Sequence, residues 1–162
     1  MLITCSTLLA CKDLFFRPKV YIAHLTQYRD TKQLIMAEKQ KIELEFTVKS
    51  SVKILYQCLS TSSGLSEWFA DDVTIKKDQA KFEWDGSVEE AVILSKKTDQ
   101  FIRYQMLDDE GTDYYFEFSI KTDPLTGDVG LFITDFAEED EVDEQSRLWE
   151  SQIGELRHIL GG

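Results

Sequence analysis

The chain is 162 residues long, with 43% hydrophobic, 12% aromatic and 30% charged residues, which is enough apolar mass for one core and too much for a disordered segment. Its net charge of −12 repels phosphate backbones and anionic bilayers, so no nucleic acid is expected as a partner. No apolar run approaches the roughly 18 residues of a spanning helix, so no membrane span is expected either.

Residues 1–35 hold five Lys or Arg against two Asp, a basic stretch in front of a strongly acidic remainder. The sign changes at Ile35-Met36-Ala37-Glu38, and we expect an N-terminal extension over 1–35 and one domain over 36–162. Met36 reads as the start of the folded part, with the upstream stretch an over-extended reading frame or a loosely docked tail. Leu8-Leu9-Ala10-Cys11 has the form of a lipobox, but the run before it is broken by Thr4, Cys5, Ser6 and Thr7 and lacks a leading Lys or Arg. After Met36 the only thiol is Cys58; no disulfide can form inside the domain, and a cytoplasmic setting is expected.

Ile42, Leu44, Phe46 and Val48 alternate with polar residues, which predicts a strand with one buried face. Ser50-Ser51 supplies a helix cap, and Val52, Leu55, Tyr56 and Leu59 follow at helical spacing up to Thr61–Gly64. A second helical turn is expected to carry Leu65, Trp68 and Phe69. Strand patterns then cover Val73–Ile75, Phe82–Trp84, Ala91–Leu94, Ile102–Met106 and Tyr114–Ile120, separated by polar turns. Asp123-Pro124-Leu125-Thr126-Gly127 forms a further turn into Val129–Phe136. Short connections of this kind predict an antiparallel meander. Val142, Trp149, Ile153, Leu156 and Leu160 make the apolar stripe of a last helix, whose acidic start and basic end suit the macrodipole. The expected fold class is therefore α+β, with two short helices after the first strand and a curved antiparallel sheet of about seven strands wrapped around a long C-terminal helix.

This order resembles the helix-grip, or START-like, superfamily, and within it small bacterial proteins related to heat-shock-ATPase activator (Aha-type) homologues. The resemblance is carried by Lys41-Ile-Glu-Leu-Glu-Phe46, Leu65-Ser-Glu-Trp-Phe69, Thr126-Gly-Asp-Val129 with Ile133-Thr-Asp-Phe136, and Trp149 to Leu160. It implies a space between sheet and helix that the superfamily uses for lipids, polyketides, hormones or aromatic metabolites, and in some members the regulation of a protein partner. The compact strand region and the very acidic start of the last helix depart from the Aha-type pattern.

If the alternation holds, Trp84, Tyr104, Met106, Tyr114, Phe116, Phe118, Trp149 and Ile153 face that space. Packed core is the ordinary fate of such residues, but aromatics with polar tips and a thioether also suit a small hydrophobic molecule. The leading expectation is a module binding a lipid, polyketide or aromatic metabolite at these positions. The alternative is an interaction or regulatory module with a filled core, engaging a basic protein partner through the acidic helix start; a cyclase or hydrolase of the same fold ranks below both. No catalytic set, cofactor or metal site is read. His158 suits a helix C-terminus, Cys58 reads as a small hydrophobe, and the seven acids of Asp135–Glu144 lack the spacing of a calcium loop and read as a solvated helix start. Arg103 falls on the opposite parity from Ile102 and Tyr104, outside the sheet and opposite Glu117.

Overall fold

The computed structural model describes residues 38–161; the readings placed on Met36 and on Leu8–Cys11 lie outside the described residues. In chain order the elements are β1 (Gln40–Val48), α1 (Val52–Ser60), α2 (Ser62–Ser66), β2 (Asp72–Lys76), β3 (Gln79–Trp84), β4 (Ser87–Lys97), β5 (Phe101–Met106), a 3-10 turn (Leu107–Asp109), β6 (Phe116–Thr122), β7 (Val129–Ala137) and α3 (Val142–Ile159). The strands form one antiparallel sheet in the order β1-β7-β6-β5-β4-β3-β2. This is the helix-grip arrangement, an open sheet with short helices after its first strand and a long helix at its end.

Five consecutive hairpins build the sheet from β2 to β7, and β1 then pairs with β7 from Gln40 opposite Ala137 to Val48 opposite Val129. Asp85 (φ 48°) and Gly86 (φ 79°) are both left-handed between β3 and β4. That is the backbone a two-residue hairpin turn needs to match strand twist, and Asp-Gly is among the sequences that adopt it most readily.

The first short helix is capped as expected, with Ser51 Oγ accepting from Ile54 N at 3.3 Å. Its buried residues are Leu55, Cys58 and Leu59. Gly64 lies against it so closely that a Cβ would stand 2.4 Å from Gln57 O and 2.7 Å from Cys58 Cα. Glycine is what lets α2 turn back onto α1 at this spacing.

Three expectations need correction. The second helix stops at Ser66, and Trp68 and Phe69 belong to the turn after it, where Leu65 O accepts from Phe69 N at 2.8 Å. A helix of this length cannot continue once the chain swings to start β2. β4 is longer than Ala91–Leu94 and shifts register between Ile93 and Ser95; a bulge of this kind breaks the alternation that would have revealed its full length. β6 begins at Phe116 and not at Tyr114, so the period-2 parity carried by Phe116, Phe118 and Ile120 does not reach Tyr114.

The two edges of the sheet are treated differently. On β2 the side chains of α2 take up backbone donors: Ser66 Oγ accepts from Val73 N and Ser62 Oγ accepts from Ile75 N, each at 2.9 Å. On β1 the contact is at one end, where Arg157 donates from Nε and Nη2 to Thr47 O at 3.2 and 2.9 Å.

Helix α3 buries Trp149, Ile153 and Leu156 against the sheet face that carries the other buried residues of the core. Each such side chain contributes about 1.5–3 kcal/mol on burial. Asp143 and Glu144 in its first turn and Arg157 and His158 in its last complement the macrodipole, as expected. On the opposite face Arg103 Nη2 meets Glu117 Oε2 at 2.7 Å across the β5–β6 register.

Candidate functional site between sheet and helix

The space between α3 and the sheet is lined by the inward residues of β3, β5, β6 and β7, because side chains of one parity share one face. Phe116 and Phe118 come from β6, Tyr104 from β5, Phe82 and Trp84 from β3, and Trp149 closes over them from α3. The Tyr104 and Phe116 rings stack with centroids 4.9 Å apart. Trp149 meets Phe118 edge-on at 5.6 Å and Phe116 at 6.4 Å.

At the centre stands Phe69, delivered by the turn after α2. Its ring stacks on Trp149 at 5.8 Å with an interplanar angle of 13°. It also approaches Phe82 at 5.2 Å, Trp84 at 5.5 Å, Phe116 at 5.8 Å and Phe118 at 6.0 Å. One side chain thus bridges helix and sheet through offset and edge-to-face contacts, the geometries aromatic quadrupoles favour.

Each polar tip in this cluster is held by the protein itself. Tyr104 donates its hydroxyl to Leu59 O at 3.0 Å, Trp84 its Nε1 to Phe69 O at 2.8 Å, and Trp68 its Nε1 to Cys58 O at 3.1 Å. Trp149 Nε1 donates to Asp135 Oδ2 at 2.7 Å, and Gln145 Nε2 donates to the same oxygen at 2.8 Å. Asp135 therefore ties α3 to β7. It is half-buried, whereas Glu138, Glu139, Asp140, Glu141, Asp143 and Glu144 are exposed, which corrects its inclusion in a uniformly solvated acidic helix start.

Of the eight sequence-derived positions, Tyr104, Phe116, Phe118, Trp149 and Ile153 are buried together in one cluster. Trp84 and Met106 are half-buried against it. Tyr114 stands apart: its ring lies 5.3 Å from Phe136, a residue of the outward parity of β7, and its hydroxyl accepts from Lys39 N at 3.1 Å. The Lys39 ammonium lies 5.2 Å from the same ring and pairs with Asp109 at 2.7 Å. Tyr114 thus helps hold the start of β1 and does not line the grip.

Sequence reasoning left out Phe69, Phe82 and Asp135. Phe82 shares parity with Trp84, and that signal was sufficient to find it. Asp135 shares parity with Ile133, and a buried Trp149 needs an acceptor for its Nε1. Phe69 sits in a turn, where no periodicity applies.

Burial pushes the Tyr104 hydroxyl well above the ordinary tyrosine range, with Tyr56 adding to it. Burial, and secondarily Glu67, push the Cys58 thiol up as well, which keeps it a protonated packing group and not a thiolate nucleophile. Among the described residues no group of three or more His, Cys, Asp or Glu is placed to hold a metal ion. No buried side-chain N or O among them lacks a hydrogen-bond partner. Among them, too, no helix is long and apolar enough to cross a membrane. What the arrangement offers is aromatic surface whose hydrogen-bonding groups are already committed.

Comparison with known proteins places this geometry in context. A family model described as a START-like superfamily domain matches residues 36–162. No curated protein matches the chain. The solution structure of BfR322 from Bacteroides fragilis is 40% identical, with a TM-score of 0.57 over 75% of this chain and 91% of that one. The Aha1 dimer from Colwellia psychrerythraea is 18% identical, with a TM-score of 0.65 over 75% of this chain and 96% of that one. CalU16 from Micromonospora echinospora is 13% identical, with a TM-score of 0.60 over 75% of this chain and 74% of that one. The last two similarities are of fold alone.

Proposed function

The chain belongs to the START-like superfamily, and from that premise we propose that its grip is filled by its own side chains and that the domain acts as a protein-interaction or regulatory module. One observation carries this reading: Phe69 occupies the space between Trp149 and the sheet, stacked on the former and packed on Phe82, Phe116 and Phe118 of the latter. A hydrophobic ligand in that space would have to displace a ring that already has close aromatic neighbours on both sides. It would also find the polar tips of Tyr104, Trp84 and Trp149 in use.

The partner surface is the acidic start of α3, exposed from Glu138 through Glu141 and again at Asp143 and Glu144. Leu148, 50% exposed on the same helix, adds an apolar anchor. An acidic rim around an apolar contact suits a basic protein, steering its approach electrostatically and holding it by burial. A cytoplasmic location and a domain beginning at Met36 go with this reading, the latter supported by the family match over residues 36–162.

A second reading keeps the small hydrophobic ligand, and half-buried Trp84 and Met106 favour it, because they leave aromatic and thioether surface accessible beside the cluster. Native mass spectrometry of the protein purified from its own host decides between the two. The filled grip gives the mass of the polypeptide alone under gentle ionisation. A stoichiometric lipid, polyketide or aromatic adduct that raises the melting temperature when added back would overturn the filled-grip reading in favour of the ligand module.

A further inference from the structure

We propose that the outer edge of β1 docks a second copy of this chain, the two β1 strands pairing antiparallel about Ile42 to join the two sheets. The first observation is the contrast between edges. β2 has backbone donors at Val73 and Ile75 taken up by Ser66 and Ser62 of α2, whereas β1, among the described residues, has a strand neighbour only on its β7 side, and its other backbone contacts lie at its two ends, the Tyr114 hydroxyl on Lys39 N, Arg157 on Thr47 O and Ser50 N on Val48 O. An unguarded edge strand is a template for another strand.

The second observation is the charge pattern of that strand. Lys39, Lys41, Glu43 and Glu45 share the outward parity, separated by Gln40, Ile42 and Leu44 on the other face. In an antiparallel pair, directly opposite residues stand on the same face. A two-fold axis through Ile42 therefore sets Lys41 against Glu43 in both directions, exchanging between copies the ion pair these two residues make within one chain, and produces no like-charge pair; Lys39, which falls opposite Glu45, keeps its own partner Asp109. Moving the axis to Glu43 places that carboxylate against its own copy, and moving it to Leu44 places Glu43 against Glu45. Axes through Phe46 or Thr47 set Glu43 or Glu45 against Lys49, but they fall at the end where Arg157 occupies Thr47 O, so along the open part of the edge the sequence is self-complementary in one register. On the face toward α3, Ile42 meets Ile42 and Gln40 stands beside Leu44.

Such a contact is isologous and uses up the β1 edge of both copies. Because α2 covers donors along the other edge, the joined sheet has no second open edge of the same kind, and assembly stops at two. This inference is independent of what fills the grip.

Lys41 and Glu43 test it, since their side chains are 46% and 68% exposed and their substitution leaves the core untouched. Sedimentation velocity on the full chain, from about 10 μM to about 1 mM, is expected to show a reversible monomer–dimer equilibrium. Lys41→Glu and Glu43→Lys, each alone, place like charges opposite one another and weaken self-association by at least about tenfold. An equimolar mixture restores every opposite-charge pair and returns association to the wild-type level, with unchanged melting temperatures of the separate variants as the control for folding. A wild-type chain that stays monomeric throughout, a dimer indifferent to both substitutions, or a mixture that fails to recover each overturns the proposal.

Discussion

Replacing Phe69 with alanine removes the ring that bridges helix and sheet, and its consequences separate a filled grip from a ligand-ready one. Phe69 is 7% exposed, and the alanine would leave Trp149, Phe82, Trp84, Phe116 and Phe118 facing a void. Truncating a buried phenylalanine costs about 3–5 kcal/mol, out of a typical total of about 5–15 kcal/mol. At about 4 °C per kcal/mol for a domain of this size, the melting temperature falls by about 12–20 °C. The void is walled by apolar groups and should stay dry, so a small planar aromatic such as indole or toluene can occupy it. At a hundred times its dissociation constant the compound returns about 2.7 kcal/mol, or about 10 °C. The assay is thermal melting followed by circular dichroism, with and without the compound, on wild type and Phe69→Ala side by side. The wild type should show no shift. A wild type stabilised as much as the variant, or a variant that melts within about 2 °C of wild type, would refute the claim that Phe69 fills the grip.

The remaining predictions concern the groups that fix this cluster. Trp149→Ala should cost about 3–5 kcal/mol by loss of the buried indole, whereas Trp149→Phe should cost about 1–3 kcal/mol because it leaves Asp135 without the Nε1 donor; urea titration distinguishes the two, and wild-type stability in Trp149→Ala would mean that α3 is not gripped. Tyr104→Phe leaves the buried Leu59 carbonyl unpaired and should cost about 1–3 kcal/mol at neutral pH. Since burial raises the Tyr104 pKa in the folded state, its contribution is complete below the unfolded value of about 10 and declines as pH rises above it. Wild type should therefore lose stability between about pH 9 and pH 11 more steeply than Tyr104→Phe, and equal slopes in urea titrations would count against that origin.

The strands β1 and β6 and the stripe of α3 were legible because each buries one face and exposes the other, so burial is written as alternation or as helical spacing. The antiparallel meander followed from short polar turns, and Arg103 opposite Glu117 followed from parity. Where the chain leaves regular structure that code lapses. Tyr114 carries the parity of Phe116 but precedes the strand, and so turned to Phe136 and Lys39. Phe69 lies in a turn whose direction is set by Gly64 and the Leu65 carbonyl, three-dimensional facts with no local signature. Asp135 looked like its acidic neighbours because a carboxylate that accepts from Trp149 and Gln145 is chemically the same residue as one facing water. Ser62 and Ser66 carry no local signal of their own, and only the approach of β2 gives their hydroxyls a role.

The pairing of β1 with β7 also sets a timetable for the growing chain. Gln40 finds its partner at Ala137, so at about 5–20 residues per second a ribosome delivers the second strand about 5–20 s after the first. During that interval the hairpins from β2 to β6 can form from neighbouring segments, while β1 waits with both its edges open. Closing so long a loop carries an entropy penalty that local hairpins avoid, which makes β1 docking a late step in folding. The lysines and glutamates spaced along one face of β1 keep the waiting strand hydrated. Its apolar face is sheltered last, when α3 emerges and Trp149 reaches Asp135.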